Sequence, residues 1–233
     1  MKKKLLLFLA FISLNIFSQS IINLKDSTYS WGGDTATNSW KNLKKTIYAY
    51  NGQYKEIGFV SSDSLVGSWI NTNSCANYSY DSNNNLLSQT YQNWSGSAWV
   101  NNYQLINTYD VLNNKLTEIT QYWNSSSSAW VNARKRTYTY DSFNNKLSEL
   151  NQNWKASNST WINDDYFDWY IYTYDSHNNI VTSITKRWLN INMAWMNYKK
   201  DSASYNLNDE YTSFIKQSWS GTWNNSSKMT NIV

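Results

Sequence analysis

The chain has 233 residues and a formal net charge of +4, with no proline, 7 glycines, 14 tryptophans and 19 tyrosines. Only 15% of its residues are charged, which excludes the dense basic surface of a typical nucleic-acid-binding protein. Aromatic residues favour strands, whereas asparagine and serine favour turns, so the composition indicates an ordered all-β protein and not a disordered chain.

Residues 1–20 predict a signal peptide. Three consecutive lysines precede a largely apolar run over residues 5–17, and Ser18 and Ser20 follow at the spacing of a cleavage site. The alternative, a membrane anchor, needs about 20 apolar residues. We therefore expect a protein that is secreted or held on the outer cell surface, with a mature N-terminus between residues 19 and 21 and no membrane span after cleavage. Loss of the three lysines leaves a net charge of +1.

The remaining chain is repetitive. Residues 21–50 are interpreted as an N-terminal half repeat, and residues 51–233 as six tandem repeats of about 30 residues. Each repeat begins at an anchor residue, usually the Asp of a Tyr-x-Tyr-Asp sequence, and the anchors are Asn51, Asp81, Asp110, Asp141, Asp175 and Asn206. Asp accepts hydrogen bonds from nearby backbone N–H groups, and Asn tolerates left-handed dihedrals. Each anchor is therefore expected to cap a tight turn. The alternatives, a calcium site or an acid pair, are less favoured because neutral Asn neighbours each anchor.

Two tryptophan columns follow the anchors. The first lies 13 residues after each anchor, with Ser64 in the first repeat, and continues as Trp94, Trp123, Trp154, Trp188 and Trp219. The second comprises Trp69, Trp99, Trp130, Trp161, Trp195 and Trp223, and an asparagine stands two residues beyond each member. The segment between the columns varies in length, as an exposed loop does. We expect the asparagine to satisfy backbone groups where the loop re-enters the strand.

Between the turns, residues alternate with a period of two, as in Thr117, Ile119, Gln121 and Trp123. This alternation predicts half-buried antiparallel strands and no helix longer than about two turns after residue 20. The predicted fold class is all-β: an antiparallel meander of about fourteen strands in tandem hairpin repeats. Because open sheets of more than about ten strands curl or split, we expect it to coil into a spiral, shell or barrel-like wrap.

The segment 138–147, Tyr-Thr-Tyr-Asp-Ser-Phe-Asn-Asn-Lys-Leu, resembles the tyrosine–aspartate (YD, or Rhs-type) repeat. The likeness covers about ten residues of each unit and is clear in four of the six. It implies β-hairpins that wind into spirals or shells in secreted and cell-surface proteins. The whole unit, with its Trp-bearing half, is more similar to repeats in exported Trp/Tyr/Asn-rich proteins of Bacteroidetes-like bacteria.

The sequence offers little for catalysis. His177 is the only histidine and stands in a turn position that other repeats fill with Gln, Asn, Leu or Phe, and Cys75 is the only cysteine. We interpret them as an exposed turn residue and an inert thiol. No metal-ligand spacing or phosphate-binding glycine loop is present. We therefore expect no enzyme activity, cofactor or metal.

Two functions remain. The first is an exported or cell-surface repeat scaffold, adhesin-like and without catalytic activity. The alternative is a module that binds glycans or cell-wall polymers through Trp99, Trp130, Trp161, Trp195 and Trp223. In both cases the loops between the two Trp columns should lie along one edge of the sheet and form a nearly continuous aromatic row. The first column is expected to be mostly buried and the second more exposed.

Overall fold

The computed structural model describes residues 26–34, 39–52, 54–65, 68–163 and 168–230. The predicted signal peptide lies outside these ranges, as does the start of the half repeat. The described residues contain no helix long and apolar enough to cross a membrane. They form fifteen strands: β1 (Ser27–Asp34), β2 (Ser39–Tyr50), β3 (Glu56–Leu65), β4 (Ser68–Tyr80), β5 (Leu86–Trp94), β6 (Trp99–Tyr109), β7 (Lys115–Asn124), β8 (Ala129–Tyr140), β9 (Lys146–Lys155), β10 (Thr160–Ile162), β11 (Asp168–Tyr174), β12 (Ile180–Leu189), β13 (Ala194–Tyr205), β14 (Tyr211–Trp219) and β15 (Trp223–Thr230).

All fifteen strands belong to one antiparallel sheet, which confirms the predicted meander. Sequence neighbours pair throughout, except that the short β10 pairs only with β9, and β11 then resumes the pairing with β9. The path runs from β1 to β15 and is open, because these two strands do not pair within the described residues. The sheet is therefore not closed into a barrel.

The sheet is one layer thick over the residues that the structure describes. Where burial is described, only four residues are buried, and all others are half-buried or exposed: the four are Gly58, Ser61, Ser62 and Asn107. At the N-terminal end, the Tyr29 ring on β1 lies 6.2 Å from the Trp69 ring on β4. Three strand spacings of a flat sheet amount to about 14 Å, so this contact is consistent with a sheet that curls toward this face.

Among the described strands, six of the seven hairpins that flank a Trp loop contain the same irregularity. In the β7–β8 hairpin Gln121 opposes Asn132, whereas the preceding Thr120 opposes Arg134, so that Ala133 is an extra residue. The β5–β6 and β14–β15 hairpins also have one extra residue, which comes directly after the asparagine that opposes a glutamine. Such β-bulges increase the local right-handed twist and prevent a long sheet from lying flat.

The edge at which the anchor turns lie, the turn edge, is held by side chains of the turns themselves. Asp81 Oδ1 accepts hydrogen bonds from the backbone N–H groups of Asn83 (2.9 Å) and Asn85 (2.7 Å), and Asn85 Nδ2 donates to Asp81 Oδ2 (2.8 Å). The fourth residue of each turn has a left-handed backbone, which asparagine tolerates: φ is 67° at Asn84, 68° at Asn113, 66° at Asn144 and 67° at Asn178. The predicted turn-capping role of the anchors is confirmed.

Successive turns are also bonded to one another. Each terminal asparagine donates to the fourth residue of the next turn: Asn85 to Asn113 (2.8 Å), Asn114 to Asn144 (2.9 Å), Asn145 to Asn178 (2.7 Å) and Asn179 to Asp209 (2.7 Å). His177 is exposed, as predicted, and its Nδ1 lies 2.9 Å from Asp209 Oδ1. The turn edge is thus a continuous ladder of amides and carboxylates that ties each repeat to the next.

These contacts make the stability dependent on pH. The side-chain bond from Asn85 lowers the pKa of Asp81, that from Asn114 lowers the pKa of Asp110, and that from Asn179 lowers the pKa of Asp209. A carboxyl group whose pKa is lowered by folding stabilises the protein above its unfolded pKa of about 3.9, and this contribution is lost as the pH falls through the lower folded pKa. We expect the urea concentration at the unfolding midpoint to decrease when the pH is lowered from 5 to 3.

The natural Asn206 anchor supplies the control for this prediction. Its Oδ1 accepts the N–H groups of Asn208 (2.9 Å) and Glu210 (3.0 Å), so an amide can cap this turn. The double variant Asp81→Asn/Asp110→Asn should therefore fold and show a smaller difference between the two pH values. An unchanged difference would show that the turn carboxylates are not its source.

Candidate functional site

The opposite edge, where the loops between the two Trp columns lie, carries the candidate site. We call it the Trp edge. Because the meander reverses at every connection except that from β10 to β11, which both run antiparallel to β9, all of these loops fall on one side of the sheet, as predicted. The two tryptophans of a loop oppose each other directly in the pairs Trp94–Trp99, Trp123–Trp130, Trp154–Trp161, Trp188–Trp195 and Trp219–Trp223.

The rings of each pair meet edge to face. Their centroids lie 4.9–5.4 Å apart with interplanar angles of 65–70°. This is the arrangement that the aromatic quadrupole prefers, and it contributes about 0.5–1.5 kcal/mol per pair beyond the burial of apolar area. The loops turn through residues with positive φ, among them Gly96 at 100° and Gly221 at 90°.

One detail of the predicted aromatic row is wrong. Both members of every pair are half-buried, so neither column is fully covered. In a single-layer sheet no second layer of residues covers either face. The row is interrupted: over the described residues, the ring contacts that reach a Trp column from another hairpin on this face are those of Tyr29 with Trp69, at 6.2 Å, and of Trp169 with Trp195, at 5.7 Å, and neither Tyr29 nor Trp169 belongs to a column.

A continuous aromatic row does exist, on the opposite face. Neighbouring rings lie 4.3–6.4 Å apart along the series Tyr48, Phe59, Tyr91, Tyr103 and Tyr122. The Tyr91 and Tyr103 rings are stacked at 14°. The sequence did not predict this row, because its members occupy strand positions that vary from repeat to repeat and look like solvent-facing polar positions.

In five repeats the asparagine beyond the second Trp bonds a side chain and not the backbone groups that we expected. Its Oδ1 accepts from the glutamine two residues before the first Trp, as in Gln121 to Asn132 at 2.8 Å and Gln92 to Asn101 at 2.9 Å. In the first repeat Ser62 Oγ takes the place of glutamine and donates to Asn71 at 3.0 Å. The pairing follows from the hairpin register, which places the two positions opposite each other just before the bulge.

Replacing Asn132 with Ala should lower the free energy of unfolding by about 0.5–1.5 kcal/mol, because Gln121 Nε2 loses its acceptor. The measurement is urea unfolding of Asn132→Ala, Gln121→Ala and the double variant. We expect the double variant to be less destabilised than the sum of the two single variants, since they remove one shared bond. Strict additivity would show that the two side chains do not interact.

Two further sets of side-chain hydrogen bonds connect the strands near the turn edge. Hydroxyl pairs at 2.6–2.7 Å cross from strand to strand, as in Thr108–Thr117 and Thr139–Ser148. Tyrosine hydroxyls donate to the first strand residue after the preceding turn, at 2.6–3.1 Å, with Tyr140 to Lys115 as one example. The strands at the five anchor turns from Asp81 to Asn206 thus use these polar side chains in the same way.

A groove with charged walls lies on the face that carries the row from Tyr48 to Tyr122, which we call the tyrosine face. It has a volume of about 240 Å³ and is lined in part by Glu118, Arg134, Arg136 and Asn151. Glu118 binds both Lys115 (3.0 Å) and Arg136 (2.9 Å). In the described part of the chain no three His, Cys, Asp or Glu side chains are grouped so that they could hold a metal ion. The Cys75 side chain lies outside the described part.

No family model matches the chain, and no curated protein matches it. Among solved structures it is similar to a DUF3836 family protein from Bacteroides vulgatus, with 24% identity over 37% of this chain and 85% of that one, at a TM-score of 0.31. A protein of unknown function from Bacteroides fragilis matches with 15% identity over 59% and 88% of the two chains, at a TM-score of 0.38. A TcdB2–TccC3 chain matches with 13% identity over 88% of this chain and 13% of that one, at a TM-score of 0.30.

Proposed function

We propose that this chain is an exported, non-catalytic repeat scaffold of the cell surface, adhesin-like and built from units of the tyrosine–aspartate type. The observation that carries the proposal is the repetition of the polar side chains. Gln–Asn pairs, hydroxyl pairs and Asp-capped turns recur from repeat to repeat, and each bonds within the sheet. A catalytic centre needs a unique constellation of residues, whereas these recurring polar side chains form hydrogen bonds that stabilise the sheet.

The single-layer sheet also supports a role in display. With a total accessible surface of 16823 Å² and both faces half-exposed, the fold presents an extended area for its length. Exposed apolar side chains stand at the tips of the anchor turns, among them Val111 (93% exposed), Phe143 (74%) and Leu207 (93%). Repeat proteins use such extended surfaces to bind partners.

Export and attachment test the scaffold directly. A strain that lacks the gene should attach less well to its growth surface, and the full chain should restore attachment, whereas a chain without residues 2–20 should not. Protease added to intact cells should degrade the protein. A protein that stays inside the cell, or a deletion that leaves attachment unchanged, would overturn the proposal.

One observation favours glycan binding as a second candidate function. The Trp pairs at the loops are half-buried and the unpaired second-column Trp69 is 39% exposed, so that ring faces are accessible at regular intervals along one edge. Flat aromatic rings stack on the apolar faces of sugars, and a series of pairs suits a polymer better than a single sugar. Binding at several weak sites on one chain also multiplies affinity.

Co-sedimentation with insoluble polysaccharides tests this candidate. The variant Trp99→Ala/Trp130→Ala/Trp195→Ala should bind at least about ten-fold more weakly, which corresponds to about 1.4 kcal/mol. The matched control Val111→Ala/Phe143→Ala/Leu207→Ala removes exposed apolar groups from the turn edge and should bind as the unmodified chain does. Equal loss in both variants, or in neither, would remove the Trp edge as the binding site.

A further inference from the structure

The two outer strands of the sheet present unused pairing edges. Within the described residues, β1 pairs only with β2 and β15 pairs only with β14. An unpaired strand edge is a template for another strand. Large exposed side chains lie on both of these strands: Tyr29 (47% exposed) and Trp31 (56%) on β1, and Met229 (52%) on β15. We propose that β15 of one copy pairs antiparallel with β1 of a second copy, so that the protein assembles head to tail.

The two edges belong to complementary strand types. Wherever an anchor turn joins two paired strands, the first strand follows a Trp loop and the second strand leads into the next Trp loop, as in β6–β7, β8–β9 and β13–β14. β15 is of the first kind, because it begins at Trp223. β1 is of the second kind: its Gly33 opposes Trp40 and so occupies the position that the first Trp of a loop has in later repeats. A β15–β1 contact therefore repeats a pairing that the sheet already makes internally.

The internal pairings also fix the register. In five of the six pairings through an anchor turn, the residue five positions after the second Trp opposes the residue two positions before the first: Lys45 and Ser62, Ser74 and Gln92, Gln104 and Gln121, Lys135 and Gln152, and Lys200 and Gln217. In the sixth, β11–β12, Trp169 opposes Lys186. Applied to the outer strands, this rule places Lys228 of one copy opposite Trp31 of the next. Thr230 then opposes Tyr29, and Met229 opposes Ser30.

A lysine–tryptophan pair already occupies this position inside the sheet. In the β11–β12 pairing Lys186, two residues before Trp188, opposes Trp169, and the Lys186 Nζ lies 5.4 Å from the centre of the Trp169 ring. An ammonium group at this distance is attracted by the ring quadrupole. The proposed contact also pairs a lysine with a tryptophan, but here the tryptophan (Trp31) is on the strand that leads into the loop and the lysine (Lys228) is on its partner. Both side chains are exposed in the single chain.

Such a contact does not close on itself. It uses different surfaces on the two copies, and heterologous contacts of this kind generate open-ended assemblies unless the rotation between copies closes a ring. The result is a longer sheet that continues the same repeat. The assembly needs no tryptophan of the loop pairs, so its success or failure is independent of glycan binding.

Sedimentation velocity of the purified full chain over a concentration series tests the assembly. The unmodified chain should increase in mass steadily with concentration. Trp31→Lys places two ammonium groups opposite each other and should raise the concentration needed for association about ten-fold. Trp31→Lys/Lys228→Glu restores opposite charges and should restore association, whereas the control Phe143→Lys at the turn edge should have no effect.

A chain that stays monomeric throughout, or association that Trp31→Lys leaves unchanged, overturns the proposal. Failure of the double variant to restore association overturns the register. Cross-linking supplies a second measurement: in a Cys75→Ser background, oxidised Trp31→Cys/Lys228→Cys should give a ladder of disulfide-linked species. Gly32→Cys/Lys228→Cys shifts one thiol by one residue to the other face and should not. Equal cross-linking of the two variants, or none in either, contradicts the proposed contact.

Discussion

Removal of one Trp pair, in the variant Trp123→Ala/Trp130→Ala, should lower the free energy of unfolding by about 3 kcal/mol. The rings lie 5.1 Å apart and hold the end of the β7–β8 hairpin, where a bulge interrupts the pairing just inside them. Each ring is half-buried, so each loses less than a fully buried tryptophan would, but the pair also loses its edge-to-face contact. Urea unfolding followed by tyrosine fluorescence measures the change.

The control for the Trp pair is Phe143→Ala, which removes an aromatic ring that is 74% exposed at a turn tip. It should change stability by less than about 0.5 kcal/mol. If the double Trp variant is no less stable than this control, the pairs serve binding alone and do not stabilise the hairpins.

The second large effect is expected at the left-handed position of a turn. Asn144 has a φ of 66° and accepts the bond from Asn114. Asn144→Val should cost about 2 kcal/mol, because a β-branched residue is strained in this conformation and because the bond between turns is lost. Asn144→Gly adopts the dihedral freely and should remain within about 1 kcal/mol of the parent. Equal losses in the two variants would show that backbone strain at this turn is negligible.

The sequence was sufficient for those features in which partners lie close along the chain. A turn is determined by five consecutive residues, so the Asp and Asn of 81–85 predicted both the cap and the left-handed position. The two tryptophans that flank a loop are brought together by the hairpin alone. Strand alternation was equally local, and its period of two gave the strand count to within one.

Features that depend on the register between strands could not be predicted from the sequence in the same way. The bond between Gln121 and Asn132 joins two columns that were both visible in the sequence, but their pairing depends on the bulge at Ala133. The interruption between β10 and β11 accompanies extra residues between Trp161 and Asp175, where the anchor spacing rises to 34 residues. That spacing was the one signal of the interruption.

The half-burial of both Trp columns depends on the number of layers in the fold, which the sequence does not reveal. Alternation in register with the apolar column suggested that the first Trp faces a core, but a single-layer sheet has no second layer against which one column could be covered. The aromatic row on the tyrosine face was missed because Tyr91, Tyr103 and Tyr122 come from three different strands at positions that no other repeat fills in the same way.

We propose that the chain is a scaffold of equivalent units joined by nearest-neighbour contacts. Deletion of residues 111–141 tests it, because the deletion joins Asp110 to Ser142, removes β7 and β8 together and brings β6 against β9 in the common register. Thermal unfolding followed by far-ultraviolet circular dichroism is the measurement. The account predicts a β-sheet spectrum and a cooperative transition in the shortened chain, at a lower temperature because one unit's contacts are lost. An unfolded spectrum for the shortened chain would contradict it.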